Sequence, residues 1–299
     1  MIVYIPQKKG ISMGLEKQNL LQSLIERKKI FDTLGMHIME NTDFEIAERM
    51  SKLIPDVKPI CTFTGSILTD ESAFKKSFKY LKLFGPVYID RAEETLETAS
   101  INKIFDNLHC FTTFIQYSLD PDTKEIDKNS GVVDHFKTPK AFDEVSPMWL
   151  AHEHIHSLKD IHYSEYQDGQ VFGDVIPMFL ELVIADSVEK NKEKTFITNR
   201  LHLLKWECKS LSYVNDLLKK EQELYRVFAT SSMQYLNSFY YSLMLYNMYK
   251  SEEDVIPLMR EVLDGRKNTR TMLQELGLLN NYKEEAAKKG VASVIKRLQ

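Results

Sequence analysis

The sequence has 299 residues, and several features are scarce or missing from it. It contains only three cysteines, Cys61, Cys110 and Cys208, which are odd in number and far apart. This argues against a disulfide framework and against a thiolate metal site. No apolar run approaches the length of a membrane span, and residues 1–9 lack a charged-then-apolar signal segment. We therefore expect a cytoplasmic protein with no membrane partner.

The chain also lacks an excess of charge of one sign. Its formal net charge is -4, with positive and negative side chains interspersed, so no broad basic surface for nucleic acid is expected. No linker rich in glycine, serine or proline divides the sequence. A chain of this length can bury a substantial core, and we expect one compact unit.

The segment 146–158 contains the pattern H-E-x-x-H, formed by His152, Glu153 and His156. In a helix, a spacing of four residues places the two histidines one turn apart on one face, where they can bind one metal ion. Glu153 then lies beside the metal and can accept a proton from zinc-activated water and pass it to a leaving amine. The pattern predicts a metallopeptidase with one Zn²⁺ per chain.

A third protein ligand is needed, and two residues compete for that position. Glu181 is the only charge between Asp174 and Asp186, in an apolar run where a carboxylate is costly to bury without a cation. His162 completes the histidine spacing of metzincin peptidases, but Lys159 occupies the position where that pattern needs a glycine for a sharp turn. We favour Glu181 and interpret His162 as a surface or outer-shell histidine.

Hydrophobic periodicity predicts a mainly α protein with a small β-sheet before the motif helix. An exposed edge of that sheet could hold an extended peptide by strand addition, or the sheet could simply cover the core. The main predicted segments are helices over 15–40, 90–108, the motif, and the run carrying Glu181, strands over 109–119 and 131–136, and a break over 166–174.

The segment 228–243 is dense in tyrosine. Tyrosines at helical spacing are mostly core residues with a solvated tip. The functional alternative is that one phenol donates a hydrogen bond to the oxyanion formed when water attacks a peptide carbonyl.

The H-E-x-x-H pattern, the later Glu181 in an apolar helix and the tyrosine segment together resemble the catalytic half of the thimet oligopeptidase and oligoendopeptidase F family. The resemblance covers about residues 145–280. It implies a zincin-like (gluzincin) catalytic domain over residues 101–299, with a helical N-terminal region over 1–100 packed on it. Members of this family are longer, so the helical lobe that roofs their substrate channel is reduced here.

Carried over onto this sequence, the resemblance implies His152, His156 and Glu181 as zinc ligands and Glu153 as general base. Tyr235 best matches a family tyrosine that contacts the substrate carbonyl. Tyr240 and Tyr241 are nearby alternatives in substrate binding.

The predicted function is therefore that of a zinc metalloendopeptidase acting on short peptides. Two alternatives stay open: a metzincin-like site that uses His162 as third ligand, and a peptide-binding protein that keeps the fold without turnover. The sequence does not specify an oligomeric state.

Overall fold

A computed structural model describes residues 13–60, 68, 70–104, 112–123, 125–139, 142–218 and 221–299. Within these residues the protein is mainly helical, as predicted. The helices are α1 (Met13–Leu34), α2 (Asn41–Leu53), α3 (Asp70–Tyr80), α4 (Pro86–Thr98), α5 (Ser146–Lys159), α6 (Tyr163–Phe172), α7 (Val175–Ser187), α8 (Lys190–Leu218), α9 (Gln222–Lys250), α10 (Ile256–Leu263), α11 (Thr269–Glu275) and α12 (Glu284–Lys296), with a short 3₁₀ helix at Leu81–Leu83.

Three strands form one small sheet: β1 (Ser100–Ile104), β2 (Thr112–Gln116) and β3 (Val132–Pro139). Their order is β1-β3-β2, with β1 parallel and β2 antiparallel to β3. The strand predicted over 109–119 is confirmed over Thr112–Gln116, with residues 109–111 outside the described part, and the strand predicted over 131–136 is confirmed and continues to Pro139. Strand β2 lies at one edge of the described sheet. A bulge between Phe114 and Ile115 changes the register of β2 against β3.

Two predicted helix boundaries are wrong. The helix predicted over 15–40 ends at Leu34, because Gly35 takes a positive φ of 59° that stops the helix. The helix predicted over 90–108 ends at Thr98, and Ser100–Ile104 pairs with β3 instead, so strand pairing overrides the helical period there. Residues 105–108 lie outside the described part.

The predicted break over 166–174 is also wrong for most of its length, since α6 continues to Phe172. Polar residues and Gly169 mimic a loop in the sequence, but α6 packs against α9 and α11, and tertiary packing outweighs local propensity. The break is confined to Gly173 and Asp174, between α6 and α7.

The core is organised around α9, which contacts α1, α2, α6, α7, α8 and α12. Nearly every residue of α7 is buried, in keeping with its apolar sequence. The motif helix α5 lies between α3 and α4 on one side and α7 on another, and it also contacts β2 and α10. This packing fixes α5 along most of its circumference, so its polar side chains have defined neighbours.

Among the described residues, no helix is long and apolar enough to cross a membrane. Cys208 is a free cysteine, whereas Cys61 and Cys110 lie outside the described part of the chain. The division of the chain at residue 100 stays a prediction.

Candidate metal centre

The start of α5 is fixed by a local hydrogen-bond cluster. The Oδ1 atom of Asp143 accepts hydrogen bonds from the backbone N–H of Val145 (3.0 Å) and of Ser146 (2.8 Å), and from the Ser146 hydroxyl (2.7 Å). Pro147 then occupies the first turn, where a missing N–H is tolerated. The helix therefore begins at Ser146 and holds the motif in its second and third turns.

The two motif histidines face each other on one side of α5, as predicted. Their Nε2 atoms lie 3.1 Å apart, and Asp174 Oδ1 lies 3.0 Å from Nε2 of His152 and 3.4 Å from Nε2 of His156. All three side chains are at least mostly buried. Among the described residues, this is the group of histidine, cysteine and acidic side chains whose ligand atoms lie within 4.8 Å of one another.

The carboxylates around this group stabilise positive charge at its centre. Burial alone would raise the pKa of Asp174, but hydrogen bonds and charges from the two histidines hold it well below its usual range. Burial lowers the pKa of His156, yet Asp160 and Asp174 together raise it to about 10. The neighbouring carboxylates thus stabilise positive charge on both imidazoles.

Asp174 was not identified from the sequence as a site residue. It lies at the junction of α6 and α7, directly after Gly173. The backbone at Gly173 lies so close to that of Gly169 that a Cβ at Gly173 would lie 2.3 Å from the carbonyl oxygen of Gly169. Asp174 precedes Glu181 by seven residues, which is two helical turns, so both point to the same side of α7. This seven-residue spacing was the sequence feature from which Asp174 could have been identified.

Glu181 is placed on the opposite edge of the His152 ring. Its Oε1 lies 2.8 Å from Nδ1 of His152, and its two carboxylate oxygens accept hydrogen bonds from Arg200, with Arg200 Nε 2.8 Å from Oε2. Trp149 covers the guanidinium at 4.5 Å. The structure thus does not bring Glu181 to the Nε2 atoms, and its role as a metal ligand stays a prediction.

His156 has a matching carboxylate on its own Nδ1 edge, Asp160 Oδ2 at 3.1 Å. Asp160 in turn is bound by the buried Lys159, whose Nζ also lies 2.9 Å from Oε1 of Glu165. Carboxylates on the Nδ1 edges fix the tautomer and orientation of metal-binding imidazoles and increase their basicity. Both Nε2 atoms face Asp174 Oδ1, and loss of their protons would leave both as ligands for one metal ion.

His162 is not brought to this group. Its ring packs on the turn after α10, so closely that a Cβ at Gly265 would lie 2.4 Å from its Nδ1 atom. No group of described metal-ligating side chains includes it. The geometry gives the metzincin-like alternative no support.

Glu153, the predicted general base, is buried beside the histidines. The hydroxyl of Thr113, on the edge strand β2, donates to Oε2 of Glu153 at 2.7 Å. Because β2 contacts α5, the edge of the sheet lies next to the motif carboxylate.

The three candidate tyrosines lie in two different places. Tyr235 lies near the site: the charge of Asp174, then burial, then Glu207 and Glu153 raise its pKa well above the usual value. The Tyr240 hydroxyl donates to the carbonyl oxygen of Asn281 (2.9 Å) and accepts from the N–H of Lys283 (2.8 Å).

The Tyr241 hydroxyl accepts a long hydrogen bond from the N–H of Asn280 (3.4 Å). Both hydroxyls thus contact the segment before α12, and their role in substrate binding stays a prediction.

Comparisons with known proteins give little further information. No protein-family model and no curated protein matches the chain. Among solved structures, the chain is similar to that of a "putative peptidase from Chlamydophila abortus", with 14% identity and a TM-score of 0.48 over 94% of this chain and 55% of that one. The chain thus spans about half the length of that protein, and the likeness is too distant to carry an argument.

Proposed function

We propose that the protein is a zinc-dependent metallopeptidase that hydrolyses short peptides. The observation that carries the proposal is the convergence of the two histidine Nε2 atoms and Asp174 Oδ1 within 3.4 Å of one another. Two imidazole nitrogens and one carboxylate oxygen are one of the donor sets found in catalytic zinc sites, which leave the fourth position open. We assign His152, His156 and Asp174 as the ligands, with Glu181 as an orienting carboxylate.

The residues around this group fit peptide hydrolysis. Bound zinc would supply a Lewis acid that activates water near neutral pH. Glu153 accepts the proton of the attacking water and delivers it to the departing amine, while Thr113 fixes the carboxylate in place. The neutral hydroxyl of Tyr235 is available to donate a hydrogen bond to the oxyanion, since its raised pKa keeps it protonated.

The position of β2 favours an extended peptide as substrate. This strand pairs with β3 along one side and lies at the edge of the described sheet. An extended chain can pair with such an edge through main-chain hydrogen bonds, which do not depend on side-chain identity. Because Thr113 on β2 contacts Glu153, a peptide held along β2 passes next to the general base.

The test combines metal analysis with turnover. Purified protein should contain one zinc per chain and cleave members of a mixed peptide library, and a chelator should abolish cleavage until zinc is restored. Glu153→Gln should keep the zinc and lose at least about a hundredfold in kcat, as expected for removal of a general base. A folded protein without zinc and without chelator-sensitive cleavage would refute the proposal.

A further inference from the structure

The C-terminal end of α5 carries a lysine that is completely buried. The side chain of Lys159 is 0% exposed, and its Nζ atom lies 2.5 Å from Oδ1 of Asp160 and 2.9 Å from Oε1 of Glu165. Burial alone would lower the pKa of Lys159, but the charges of Asp160 and then of Glu165 raise it above its usual value. A lysine is almost never fully buried unless it is paired, so these two partners determine where the ammonium group lies.

The contact between Lys159 and Asp160 is unusual for a helix, because side chains of adjacent residues do not face each other. Glu165, in the first turn of α6, draws the ammonium group to this position. Glu165 is itself held by Thr269, the first residue of α11. Its Oε1 accepts from the Thr269 hydroxyl at 2.6 Å, and its Oε2 accepts from the Thr269 N–H at 2.7 Å. Lys159 is therefore fixed by α6 directly and by α11 through Glu165.

The same network reaches the candidate metal centre through Asp160. One oxygen of this carboxylate, Oδ1, contacts Lys159, and the other, Oδ2, lies 3.1 Å from Nδ1 of His156. The two contacts use different oxygens, so Lys159 and His156 do not compete for Asp160. The position of the carboxylate, and with it the acceptor of the imidazole, thus depends on the lysine.

The other motif histidine has the same arrangement, built from a different part of the fold. Oε1 of Glu181 lies 2.8 Å from Nδ1 of His152, and Arg200 donates to Oε2 of the same carboxylate at 2.8 Å. Each motif imidazole therefore has a carboxylate on its Nδ1 edge and a buried cation behind that carboxylate. Buried ion pairs often add little stability compared with apolar residues of similar volume, so stability alone does not account for this repetition.

We propose that Lys159 is a positioning residue of the metal centre: it fixes the carboxylate of Asp160, which fixes the ring of His156 with its Nε2 toward Asp174. The inference rests on the metal centre of the function proposed above and extends that centre to α6 and α11. Asp160 is 17% exposed, so a carboxylate released by the lysine can turn toward water and leave Nδ1 of the ring without a fixed acceptor. Loss of such outer partners weakens metal binding by about tenfold to a hundredfold.

The test variant, Lys159→Met/Glu165→Gln, replaces the buried pair by neutral side chains of similar size. Methionine adapts to the space of the lysine stem, and burial already raises the pKa of Glu165, so a neutral amide is a mild change there. We expect zinc binding, measured by competition with a chromophoric chelator, to weaken by about tenfold or more in protein that circular dichroism shows to be folded. The matched control, Lys267→Met/Glu275→Gln, removes an ion pair between α11 and the loop before it and should leave zinc affinity unchanged.

A second background shows whether Lys159 acts through Asp160. Asp160→Asn alone should also weaken zinc binding, and adding Lys159→Met/Glu165→Gln to it should cause no further loss, because the link between the lysine and His156 is already broken. Losses that simply add would mean that the buried pair supports the site by another route. That result, or an unchanged zinc affinity in Lys159→Met/Glu165→Gln, would refute the inference.

A measurement on the metal-free protein separates this inference from the peptidase proposal. The Nδ1–H proton of His156 should give an NMR signal that exchanges slowly with solvent, because its acceptor is held in place. Lys159→Met/Glu165→Gln should lose this signal and keep that of His152. If the signals behave in this way but the wild type binds no zinc, the metallopeptidase proposal fails and the role of Lys159 in orienting His156 stands. If zinc and chelator-sensitive cleavage are found and neither the signals nor the zinc affinity change in the variant, only the positioning role is refuted.

Should Lys159→Met/Glu165→Gln fail to fold, a milder variant carries the test. In the metal-free wild type, the ammonium protons of Lys159 and the Nδ1–H of His156 should both be protected from solvent exchange. Asp160→Asn should reduce the protection of both, since each is held by the same carboxylate. A change at His156 alone would show that Lys159 is held independently of Asp160 and would overturn the inference.

Discussion

Replacing Asp174 by Asn is the sharpest test of the metal centre. The substitution keeps the shape of the side chain but removes the charge that lies 3.0 and 3.4 Å from the two histidine Nε2 atoms. Four-ligand structural zinc sites bind with about 10–16 kcal/mol, which is about 3 kcal/mol per ligand. Loss of one strong ligand should therefore weaken zinc binding by about a hundredfold or more.

Two further variants provide a comparison for the loss of zinc affinity in Asp174→Asn. Glu181→Gln keeps one acceptor oxygen beside Nδ1 of His152 but places an NH2 group against Nε of Arg200, and it should weaken zinc binding by about tenfold, as outer-shell changes do. His162→Ala should have no effect, because the ring packs on the turn at Gly265. Affinities are measured by competition with a chromophoric chelator, and folding by circular dichroism.

Cobalt substitution adds a readout that does not depend on affinity alone. The visible bands of Co²⁺ respond to the directly bound atoms, so Asp174→Asn should shift them and Glu181→Gln should not. If Glu181→Gln shifts the bands and weakens binding more than Asp174→Asn does, the assignment of Asp174 is refuted and Glu181 is the ligand.

Three other changes test neighbouring features. Thr113→Val removes the hydrogen bond to the general base and should lower kcat about tenfold or more with zinc content unchanged, in steady-state cleavage assays. Gly173→Ala forces a Cβ to within 2.3 Å of a carbonyl oxygen and should lower stability by about 1–3 kcal/mol and reduce zinc content, as thermal unfolding and metal analysis would show. Burial raises the pKa of Asp43 to about 6, so the unfolded chain ionises first and the stability of the protein falls between about pH 4 and pH 6. The stability of Asp43→Asn relative to wild type should therefore rise by about 2 kcal/mol from pH 4 to pH 8 in urea unfolding.

The sequence was sufficient for the features that depend on local pattern. The motif helix, the shared face of His152 and His156 and the position of Glu153 beside them all follow from a period of 3.6 residues. The two strands before the motif follow from their β-branched and aromatic composition. These predictions need no knowledge of how distant segments pack.

The sequence was insufficient where the axial position of one helix relative to another decides which side chain reaches the site. Asp174 and Glu181 lie on the same side of α7, and either could face the histidines. Which one reaches the Nε2 atoms depends on how far α7 is shifted along α5, and a local sequence pattern does not encode this shift.

The third histidine of the motif segment shows how differently adjacent imidazoles can be used. His154 points away from the metal centre: its Nε2 lies 3.0 Å from the hydroxyl oxygen of Ser77, and its ring stacks on Phe78 at 4.7 Å. Because that hydroxyl donates to the carbonyl oxygen of Phe74, it accepts from Nε2–H of His154. The ring is fully buried, and burial lowers its pKa to about 3.

The stability of the protein should therefore fall in acid through His154. Between pH 6.5 and 3 the unfolded chain binds a proton at this residue and the folded protein does not, so each pH unit lost costs about 1.4 kcal/mol. His154→Phe keeps an aromatic ring of similar size and removes the titration. Measured by urea unfolding with a chelator present, the stability of this variant relative to wild type should rise by about 2–3 kcal/mol from pH 6 to pH 4. A difference that is the same at both pH values would mean that His154 is protonated in the folded core, with a partner other than Ser77.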